Sequence, residues 1–293
     1  MDISVIIVNY NTGDLVIHAI HSLYEQTKDV SFEVIVVDNA SGDDSCQIIQ
    51  KKFPDVHLIR NQENMGFGRA NNIGSEKAKG EYLFLLNSDT ILINDALSEL
   101  FMFMESHPKA GICGGNLWDE NRGPALSYSM RFPSVWLEMN DLFFTLLTKI
   151  MYGENAWFNH TNHDRIVAYV SGADLMIRRD LFVSMNGFDV DFFMYYEETE
   201  LTWRIHQRGF DVYNVPSANI IHLEGKSFSS DIKKTRMKMR SRSLFYEKTS
   251  NKNTKQRADK VLYISAKIHY VVAKMIRNKE KQTYWSTILE CIY

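Results

Sequence analysis

The chain has 293 residues, of which 45% are hydrophobic and 24% charged, and its formal net charge at pH 7 is −3. This is the composition of a globular protein with enough length for a sizeable core, which excludes a low-complexity disordered chain. No apolar run reaches the roughly 18 residues that a membrane span needs.

The spacing of the cysteines and the sequence of the N-terminal segment indicate where in the cell the protein is located. Cys46, Cys113 and Cys291 are widely spaced and form no CxxC pair, so they are predicted to be reduced thiols. No basic region followed by a long apolar stretch precedes the first strand pattern, so no secretory signal is predicted. Both features favour a cytoplasmic location.

The first third of the chain alternates strand and helix patterns. Apolar, β-branched segments predict strands, and apolar residues at helical spacing predict helices. The predicted strands cover residues 4–9, 32–37, 57–60 and 82–86, and the predicted helices cover 14–24, 46–53 and 68–78. This alternation predicts a parallel sheet whose strands are joined by right-handed crossovers.

The remainder is less regular and ends in a basic segment. The predicted elements are a helix at 96–104, a strand at 111–117, an amphipathic helix at 135–150, a strand or strand pair at 167–177, a helix at 198–208 and short strands at 212–215 and 220–222. The chain is predicted to be helical from about residue 228 to the end. Residues 226–293 hold 17 lysines and arginines against 5 acids, whereas residues 1–225 hold 16 against 31. Such a basic tail is expected to face an anionic surface.

Two segments could bind a nucleotide. Asp38 directly follows the second predicted strand, where ligands of open α/β sheets bind, and its carboxylate could accept hydrogen bonds from a ribose or a base. Gly66 and Gly68 lie at the start of a predicted helix, whose free N–H groups could receive an anion. An Asx turn with a helix N-cap, and a plain loop-to-helix turn, explain the same residues.

Two other segments could bind a metal ion. Asp89 ends the Asn87-Ser88-Asp89 triplet after the fourth strand, and carboxylates at such a position can link a hard divalent cation to phosphates. His222 ends the last predicted strand, and neutral imidazole is a common metal ligand. A turn or helix cap at residue 89 and a packed histidine at residue 222 are the structural alternatives.

The acidic cluster Glu197, Glu198 and Glu200 follows a stretch of aromatic residues. Like charges this close tend to raise the pKa of at least one carboxyl group, which suits a general base. The first turn of a helix also favours acids, and Arg204 lies at ion-pair spacing from Glu200. That structural explanation leaves the neighbouring aromatic residues unexplained.

Together and in this order, these segments resemble the family 2 glycosyltransferases with the GT-A fold, most closely the rhamnosyltransferase-like bacterial members that build surface polysaccharides. The resemblance spans residues 3–227 and rests on VIIVNYN, VVDNASGD, NMGFGRANN, LNSDT, SGADLMIRR, NGFDVDFFMYYEETEL and HLEGKS. It implies an α/β fold with a Rossmann-like, mostly parallel central sheet flanked by helices. Residues 1–105 would form the half that binds the nucleotide sugar and 106–227 the acceptor-binding half, with a basic helical extension at 228–293.

The resemblance also implies a role for each matching residue. The donor site would comprise Asn9, Asn11, Asp38, Asn64, Gly66, Arg69, Asn72, Asn87 and Ser88. Asn87-Ser88-Asp89 stands in the place of the metal-binding DXD motif, so Asp89 and His222 are expected to hold Mg²⁺ or Mn²⁺. The family's Glu-Asp pair falls on Glu197-Glu198, which favours Glu198 as the base and leaves Glu197 and Glu200 open. The sugar and acceptor would lie beside Gly172, Ala173, Asp174, Trp203 and Arg204.

The implied reaction is an inverting transfer of a sugar from a nucleoside-diphosphate-sugar to the hydroxyl of a saccharide, free or lipid-linked. Basic amphipathic segments at 237–246 and 260–277 predict either a peripheral contact with the inner face of the cell membrane or packing on the acidic domain. Nucleic acid is not an expected partner, because no aromatic stacking series accompanies the basic residues.

Two other functions are weighed against this one. A sugar-nucleotide pyrophosphorylase would need a glycine-rich, basic loop after the first strand, and residues 9–14 contain no basic residue. A non-catalytic module that binds sugar nucleotides would not need the three carboxylates at 197–200.

Overall fold

The computed structural model describes residues 1–223 and 231–292. Its first part follows the predicted alternation of strands and helices. The elements are β1 (Ile3–Asn9), α1 (Gly13–Gln26), β2 (Phe32–Asp38), α2 (Ser45–Lys52), β3 (His57–Arg60), α3 (Phe67–Ser75), β4 (Tyr82–Asn87) and β5 (Thr90–Leu92). The short strand β5 is an addition, since three residues are too few to give a period-two pattern.

The middle of the chain contains more short elements than its sequence predicts. They are α4 (Ala96–Ser106), β6 (Ala110–Trp118), β7 (Tyr128–Ser129), α5 (Val135–Leu142), α6 (Leu146–Tyr152), a 3-10 helix (Gly153–Ala156), β8 (Arg165–Ile166), β9 (Tyr169–Val170), β10 (Asp174–Arg178), α7 (Arg179–Ser184), α8 (Glu197–Gln207) and β11 (Asp211–His222). The amphipathic tract is two helices because Phe144 and Thr145 have φ angles of 54° and 61°, which a right-handed helix excludes.

The C-terminal extension is basic and helical, as predicted. It contains α9 (Asp231–Thr249), α10 (Lys252–Met275) and α11 (Lys279–Ile292). The predicted boundary between residues 227 and 228, and the last four residues of the HLEGKS segment, lie outside the described residues. In the two described ranges, no helix combines the length and the apolar character required to cross a membrane.

One mixed sheet organises the described residues. Its nine strands run in the order β3-β2-β1-β4-β10-β6-β11-β5, with β8 beside β11. The strands β3, β2, β1 and β4 are parallel, β10 is antiparallel to β4 and β6, and β11 is parallel to β6. The predicted α/β class with helices flanking the sheet is confirmed. The carboxyl ends of β1, β2 and β4 therefore meet at one edge.

The two faces of the sheet are covered by different helices. Alternate residues of a strand point to opposite faces, so Ile7 of β1 belongs to one core with Leu23 of α1 and Leu100 of α4. On the other face, Ile6 packs with Ala70 of α3, together with residues of α7 and α8. The two cores fix the strand ends at which the polar side chains gather.

Candidate active site

Asp38 ends β2 beside Asn9, which ends β1 in register with it. The Asn9 amide donates to Asp38 Oδ1 at 2.7 Å, and the backbone N–H of Ser41 donates to Oδ2 at 3.1 Å. Asn11 accepts from the N–H of Gly42 and its own N–H donates to Ser41 Oγ. These contacts hold a buried carboxylate in place at the predicted nucleotide edge.

Thr12 connects this loop to the end of β4. Its hydroxyl is 2.9 Å from Asn9 Oδ1 and 3.2 Å from the hydroxyl of Ser88. The first loop and the Asn87-Ser88-Asp89 triplet therefore share one hydrogen-bonded wall. Sequence reasoning overlooked Thr12, because a threonine at the start of a helix usually indicates only a cap.

Asp89 and His222 lie side by side. Strand β11 pairs with β5 so that His222 is opposite Thr90, and the N–H of Leu223 donates to the backbone oxygen of Asp89. This places His222 Nε2 at 3.3 Å from Asp89 Oδ1 and at 3.4 Å from the Asn87 amide nitrogen. The two predicted metal ligands are thus brought together by strand pairing.

The geometry of this pair fits a divalent cation. Two adjacent ligands of an octahedral ion at about 2.1 Å each are separated by roughly 3 Å, close to the observed spacing. Among the described residues, no group of three or more histidine, cysteine, aspartate or glutamate side chains is placed to hold a metal ion. The pair would therefore leave coordination positions for water and for phosphate oxygens.

Glu198 joins this edge through the segment before β10. A Cβ atom placed on Gly172 would lie 3.6 Å from Glu198 Cγ and 3.8 Å from Cδ, so the glutamate side chain packs on that glycine. The next residue, Ala173, accepts a hydrogen bond from the N–H of Asn87 at 2.9 Å. A short path of contacts therefore connects Glu198 with the Asp89–His222 pair.

Glu197 and Glu198 both have pKa values above the ordinary range. Burial is the main cause for each, and the charge of Glu198 raises the pKa of Glu197 further. Glu197 is 4% exposed, and its Oε2 atom has no hydrogen-bond partner among the described residues. Glu198 is partly exposed and accepts from the Thr199 hydroxyl at 3.0 Å. Burial thus favours the neutral form of Glu197, and Glu198 is the more accessible of the two carboxyl groups.

The backbone before these glutamates is strained. Tyr195 and Tyr196 have φ angles of 71° and 68°, a left-handed conformation that bulky residues rarely adopt. Such strain is typical of functional sites, where the surrounding structure enforces it. The two residues turn the chain so that α8 begins at Glu197.

Glu200 has a different environment from its two neighbours. Arg204 Nε donates to both of its carboxylate oxygens, at 2.8 and 2.9 Å, and the same guanidinium donates to the carbonyl oxygens of Met185 and Gly187. Glu200 is 4% exposed. Its oxygens are thus committed to an ion pair, which argues against Glu200 as the base and against Arg204 as a ligand of the acceptor. Trp203 is partly buried on the same helix.

The NMGFGRANN loop is clamped to the segment before α8. Both polar atoms of the Asn72 amide bond the backbone of Phe188, at 2.8 and 2.9 Å, and Arg69 Nε donates to the Val190 carbonyl at 2.9 Å. Gly66 has a φ angle of 81°, accepts from the Asn39 amide, and leaves no room for a Cβ atom beside the carbonyl oxygen of Phe193.

Asn64 closes the same loop by accepting from the N–H of Gly66 at 3.0 Å. Of the residues assigned to donor binding in this loop, Arg69 and Asn72 are thus occupied with holding two motifs together.

Asp174 lies inside the protein instead of at the site surface. Its side chain has 0% exposure, and Oδ2 accepts from the Gly115 N–H at 2.6 Å. Burial raises its pKa well above the ordinary range. A carboxyl group without exposed surface has no direct contact with a sugar or an acceptor, so its position next to Ala173 is a supporting one.

Helix α9 supports the loop that precedes the glutamates. The Ser241 hydroxyl donates to the Met194 carbonyl at 2.8 Å, and Lys248 Nζ is 2.7 Å from a carboxylate oxygen of both Asp189 and Asp191. The ammonium group of Lys238 lies 5.1 Å from the centre of the Tyr195 ring.

Sequence reasoning overlooked these α9 residues, since contacts between distant segments leave no local pattern. Only the opposite charges of the two regions indicated a contact between them.

Comparison with known proteins gives the same family as the sequence motifs. The sequence profile of glycosyl transferase family 2 matches residues 4–167. The chain is 26% identical over 215 residues to the N-acetylglucosaminyl-diphospho-decaprenol L-rhamnosyltransferase of Mycobacterium tuberculosis (strain CDC 1551 / Oshkosh), covering 68% of each protein. It is 27% identical over 238 residues to the rhamnosyltransferase WbbL of Escherichia coli (strain K12), covering 77% of this chain and 86% of WbbL.

Among solved structures, the mannosyltransferase PcManGT from Pyrobaculum calidifontis, in complex with GDP-Man and Mn²⁺, superimposes with a TM-score of 0.63. The match covers 99% of this chain and 85% of that protein at 16% identity. A likeness at this level of identity shows a shared GT-A fold.

Proposed function

The chain belongs to glycosyltransferase family 2, and we propose that it catalyses an inverting, metal-dependent transfer of a sugar from a nucleoside-diphosphate-sugar to a saccharide hydroxyl. The observation that carries the proposal is the meeting of Asp89 and His222, 3.3 Å apart, at the edge that Glu198 reaches through Gly172 and Ala173. This edge of the sheet thus brings two side chains of the type that binds metal ions close to a carboxyl group of raised pKa, which supports the proposal.

The leaving group is a nucleoside diphosphate, whose negative charge grows as the sugar departs. A divalent ion, Mg²⁺ or Mn²⁺, held by Asp89 and His222 would screen that charge. The Pyrobaculum enzyme of the same fold was solved with Mn²⁺ and a nucleotide sugar, which supports this assignment. Asp38 is suited to accept hydrogen bonds from the nucleoside, because its two oxygens are oriented by Asn9 and Ser41.

Glu198 would act as the general base. Its raised pKa strengthens it as a proton acceptor, while its partial exposure leaves it accessible to an acceptor hydroxyl. The hydroxyl oxygen would attack the anomeric carbon as Glu198 takes the proton, and the bond to the diphosphate oxygen breaks in the same displacement. A single in-line displacement inverts the configuration of the sugar.

We infer that the acceptor is a lipid-linked saccharide of surface polysaccharide synthesis and that the first donor to test is an activated rhamnose. The support comes from the names of two relatives, one a rhamnosyltransferase that acts on an N-acetylglucosaminyl-diphospho-decaprenol and the other the rhamnosyltransferase WbbL. The cytoplasmic location remains a prediction.

The proposal is tested by incubating the purified protein with deoxythymidine, uridine and guanosine diphosphate sugars, in the presence of Mn²⁺, Mg²⁺ or EDTA. We expect one donor class to release its nucleoside diphosphate, with loss of this activity in EDTA. The same nucleoside diphosphate should raise the melting temperature, because it binds only the folded state.

Stabilisation without hydrolysis or transfer to any acceptor would instead identify a binding module. Formation of a nucleotide sugar from a nucleoside triphosphate and a sugar phosphate would identify a pyrophosphorylase.

A further inference from the structure

Helix α10 exposes an apolar stripe on its outward face. Ile264, Ile268, Val271 and Met275 follow one another at helical spacing and are 43, 41, 48 and 76% exposed. The opposite face already contributes the buried residues Ala258, Leu262, Ser265, Ala266 and Ala273. A helix that packs inward with one face normally presents polar residues with the other. The exposed apolar side chains of the stripe are therefore not needed for the packing of the fold.

A row of lysines runs beside the stripe. Lys260, Lys267 and Lys274 recur every seven residues, which is two helical turns, and all three are exposed. Residues 260–279 contain five lysines and arginines and no acid. The only acid on α10, Asp259, is engaged with Arg242 of α9 at 2.7 Å. The outward face thus combines apolar side chains with uncompensated positive charge.

We propose that this face of α10 docks on the surface of an anionic lipid bilayer. Apolar side chains of such a helix enter the boundary between headgroups and acyl chains, while lysines beside them bind anionic headgroups. A second copy of the chain is a poorer partner, because the lysine rows of the two copies would face each other and repel. The surface deepens the proposed function and rests on it in part, because a lipid-linked acceptor is itself confined to a membrane.

The arrangement of the helices connects this surface with the site. Helix α10 is joined to α9 through the Asp259–Arg242 ion pair, and α9 contacts the loop before Glu197 through Ser241 and Lys248. Docking would therefore hold the catalytic edge at a fixed relation to the bilayer.

The experiment is flotation of the whole chain with vesicles of phosphatidylcholine, with or without phosphatidylglycerol. We expect the protein to float with the anionic vesicles at low salt and to be released as the salt concentration rises. The variant Ile264→Gln/Ile268→Gln/Val271→Gln should bind at least about tenfold more weakly, because three inserted side chains are lost. Glutamine has a high helix propensity, so the helix should persist.

Matched controls use exposed residues elsewhere in the described part of the chain. Ile48→Gln/Met102→Gln/Val183→Gln replaces apolar residues that are 37, 51 and 60% exposed, and it should float as the unmodified protein does. Lys260→Gln/Lys267→Gln/Lys274→Gln should lower binding to anionic vesicles by about tenfold or more, whereas Lys28→Gln/Lys51→Gln/Lys77→Gln should not.

Several results would overturn the proposal. They are absence of flotation with anionic vesicles, equal binding by the stripe variant and its control, or a dimer in sedimentation velocity that the stripe variant dissociates. Donor hydrolysis, measured without lipid, should be unchanged in every variant. A protein that floats but turns over no donor would contradict the proposed function and leave the docking surface intact.

Discussion

Gly172 forms one wall of the space around Glu198, at van der Waals distance from its carboxyl group: a Cβ atom placed on the glycine would be 3.8 Å from Glu198 Cδ. An alanine would therefore fit without a collision. The same contact links the proposed base to Ala173 and, through it, to the strand end that contains Asp89. The proposed chemistry depends on this junction between Glu198 and the two residues proposed to hold the metal ion.

Replacing Glu198 by glutamine should abolish transfer while keeping donor binding. The amide cannot accept the proton, so kcat should fall by roughly 10²- to 10⁴-fold, the usual contribution of a general base. The dissociation constant of the nucleoside diphosphate should stay within about twofold, as measured by calorimetry.

The two neighbouring glutamates provide the comparison. Glu200→Gln should cost about 3 kcal/mol of unfolding free energy, because it leaves the guanidinium of Arg204 without its carboxylate. Retention of full activity by Glu198→Gln would assign the proton transfer to Glu197, whose own glutamine variant would then be the inactive one.

The rate should depend on pH through Glu198. Its pKa is raised by burial, and only the deprotonated form accepts a proton, so kcat/KM should fall as the pH drops through an apparent pKa above the ordinary value of 4.5. Gly172→Ala should move this limb to higher pH, since the added methyl group excludes water from one side of the carboxylate. A pH–rate profile of both proteins measures the shift. If Gly172→Ala does not shift the acidic limb of the pH–rate profile, the group that titrates in kcat/KM is not Glu198.

Removing the carboxylate of Asp89 should remove the response to metal. Asp89→Asn keeps the backbone bond to Leu223 but loses a charged ligand, so kcat/KM at saturating Mn²⁺ should fall at least about a hundredfold. The melting-temperature rise given by a nucleoside diphosphate should no longer increase when Mn²⁺ is added. Asp55→Asn, at an exposed position, is the control and should behave as the unmodified protein. An Asp89→Asn variant that still requires Mn²⁺ for full activity would place the metal at other residues.

The ion pairs of the C-terminal extension should contribute to the free energy of unfolding of the catalytic domain. Arg242 is 4% exposed and donates to Glu138 of α5 and to Asp259 of α10, both at 2.7 Å. Arg242→Met leaves the buried carboxylate of Glu138 without its cation. This should lower the free energy of unfolding, measured by chemical denaturation, by about 3 kcal/mol. Arg240→Met, on the exposed side of the same helix, should cost almost nothing.

A double variant distinguishes the effect of an unpaired buried charge from the effect of lost side-chain packing. Glu138→Leu/Arg242→Met removes both partners and should recover part of the lost stability, because no unpaired charge remains buried. If Arg242→Met and Arg240→Met unfold at the same denaturant concentration, α9 does not depend on this ion pair.

The positions of the strand-end residues could be predicted because each follows a local pattern. Asp38 ends the apolar strand β2, Asp89 comes two residues after the apolar strand β4, and parallel pairing brings the ends of these strands to one edge. His222 could be predicted for the same reason, although its contact with Asp89 depends on the unpredicted strand β5. Local patterns determine which residues reach the edge, and pairing determines which of them touch.

The roles of other residues depend on distant partners. Arg204 has the spacing of a surface partner of Glu200, but its bonds to Met185 and Gly187 make it part of the interior. The left-handed conformation of Tyr195 and Tyr196 has no sequence signal, since aromatic residues seldom adopt it. Such features follow from tertiary packing, which a pattern along the chain does not encode.

Asp174 should make the protein less stable as the pH rises. Its pKa in the folded state is raised well above 3.8 by burial, so between these two values the folded protein keeps a proton that the unfolded chain has lost. The free energy of unfolding then falls by about 1.4 kcal/mol per pH unit in that window, and the full contribution of the group is present only below it.

Asp174→Asn mimics the neutral acid and can still accept from the Gly115 N–H, so it should remove this loss. Chemical denaturation from about pH 4 to about pH 8 measures the free energy of unfolding of both proteins. The two values should be nearly equal at the acidic end, and the variant should become increasingly more stable than the unmodified protein as the pH rises. Parallel curves over the whole range would mean that the buried carboxyl group is ionised in the folded state, stabilised by contacts beyond its bond to Gly115.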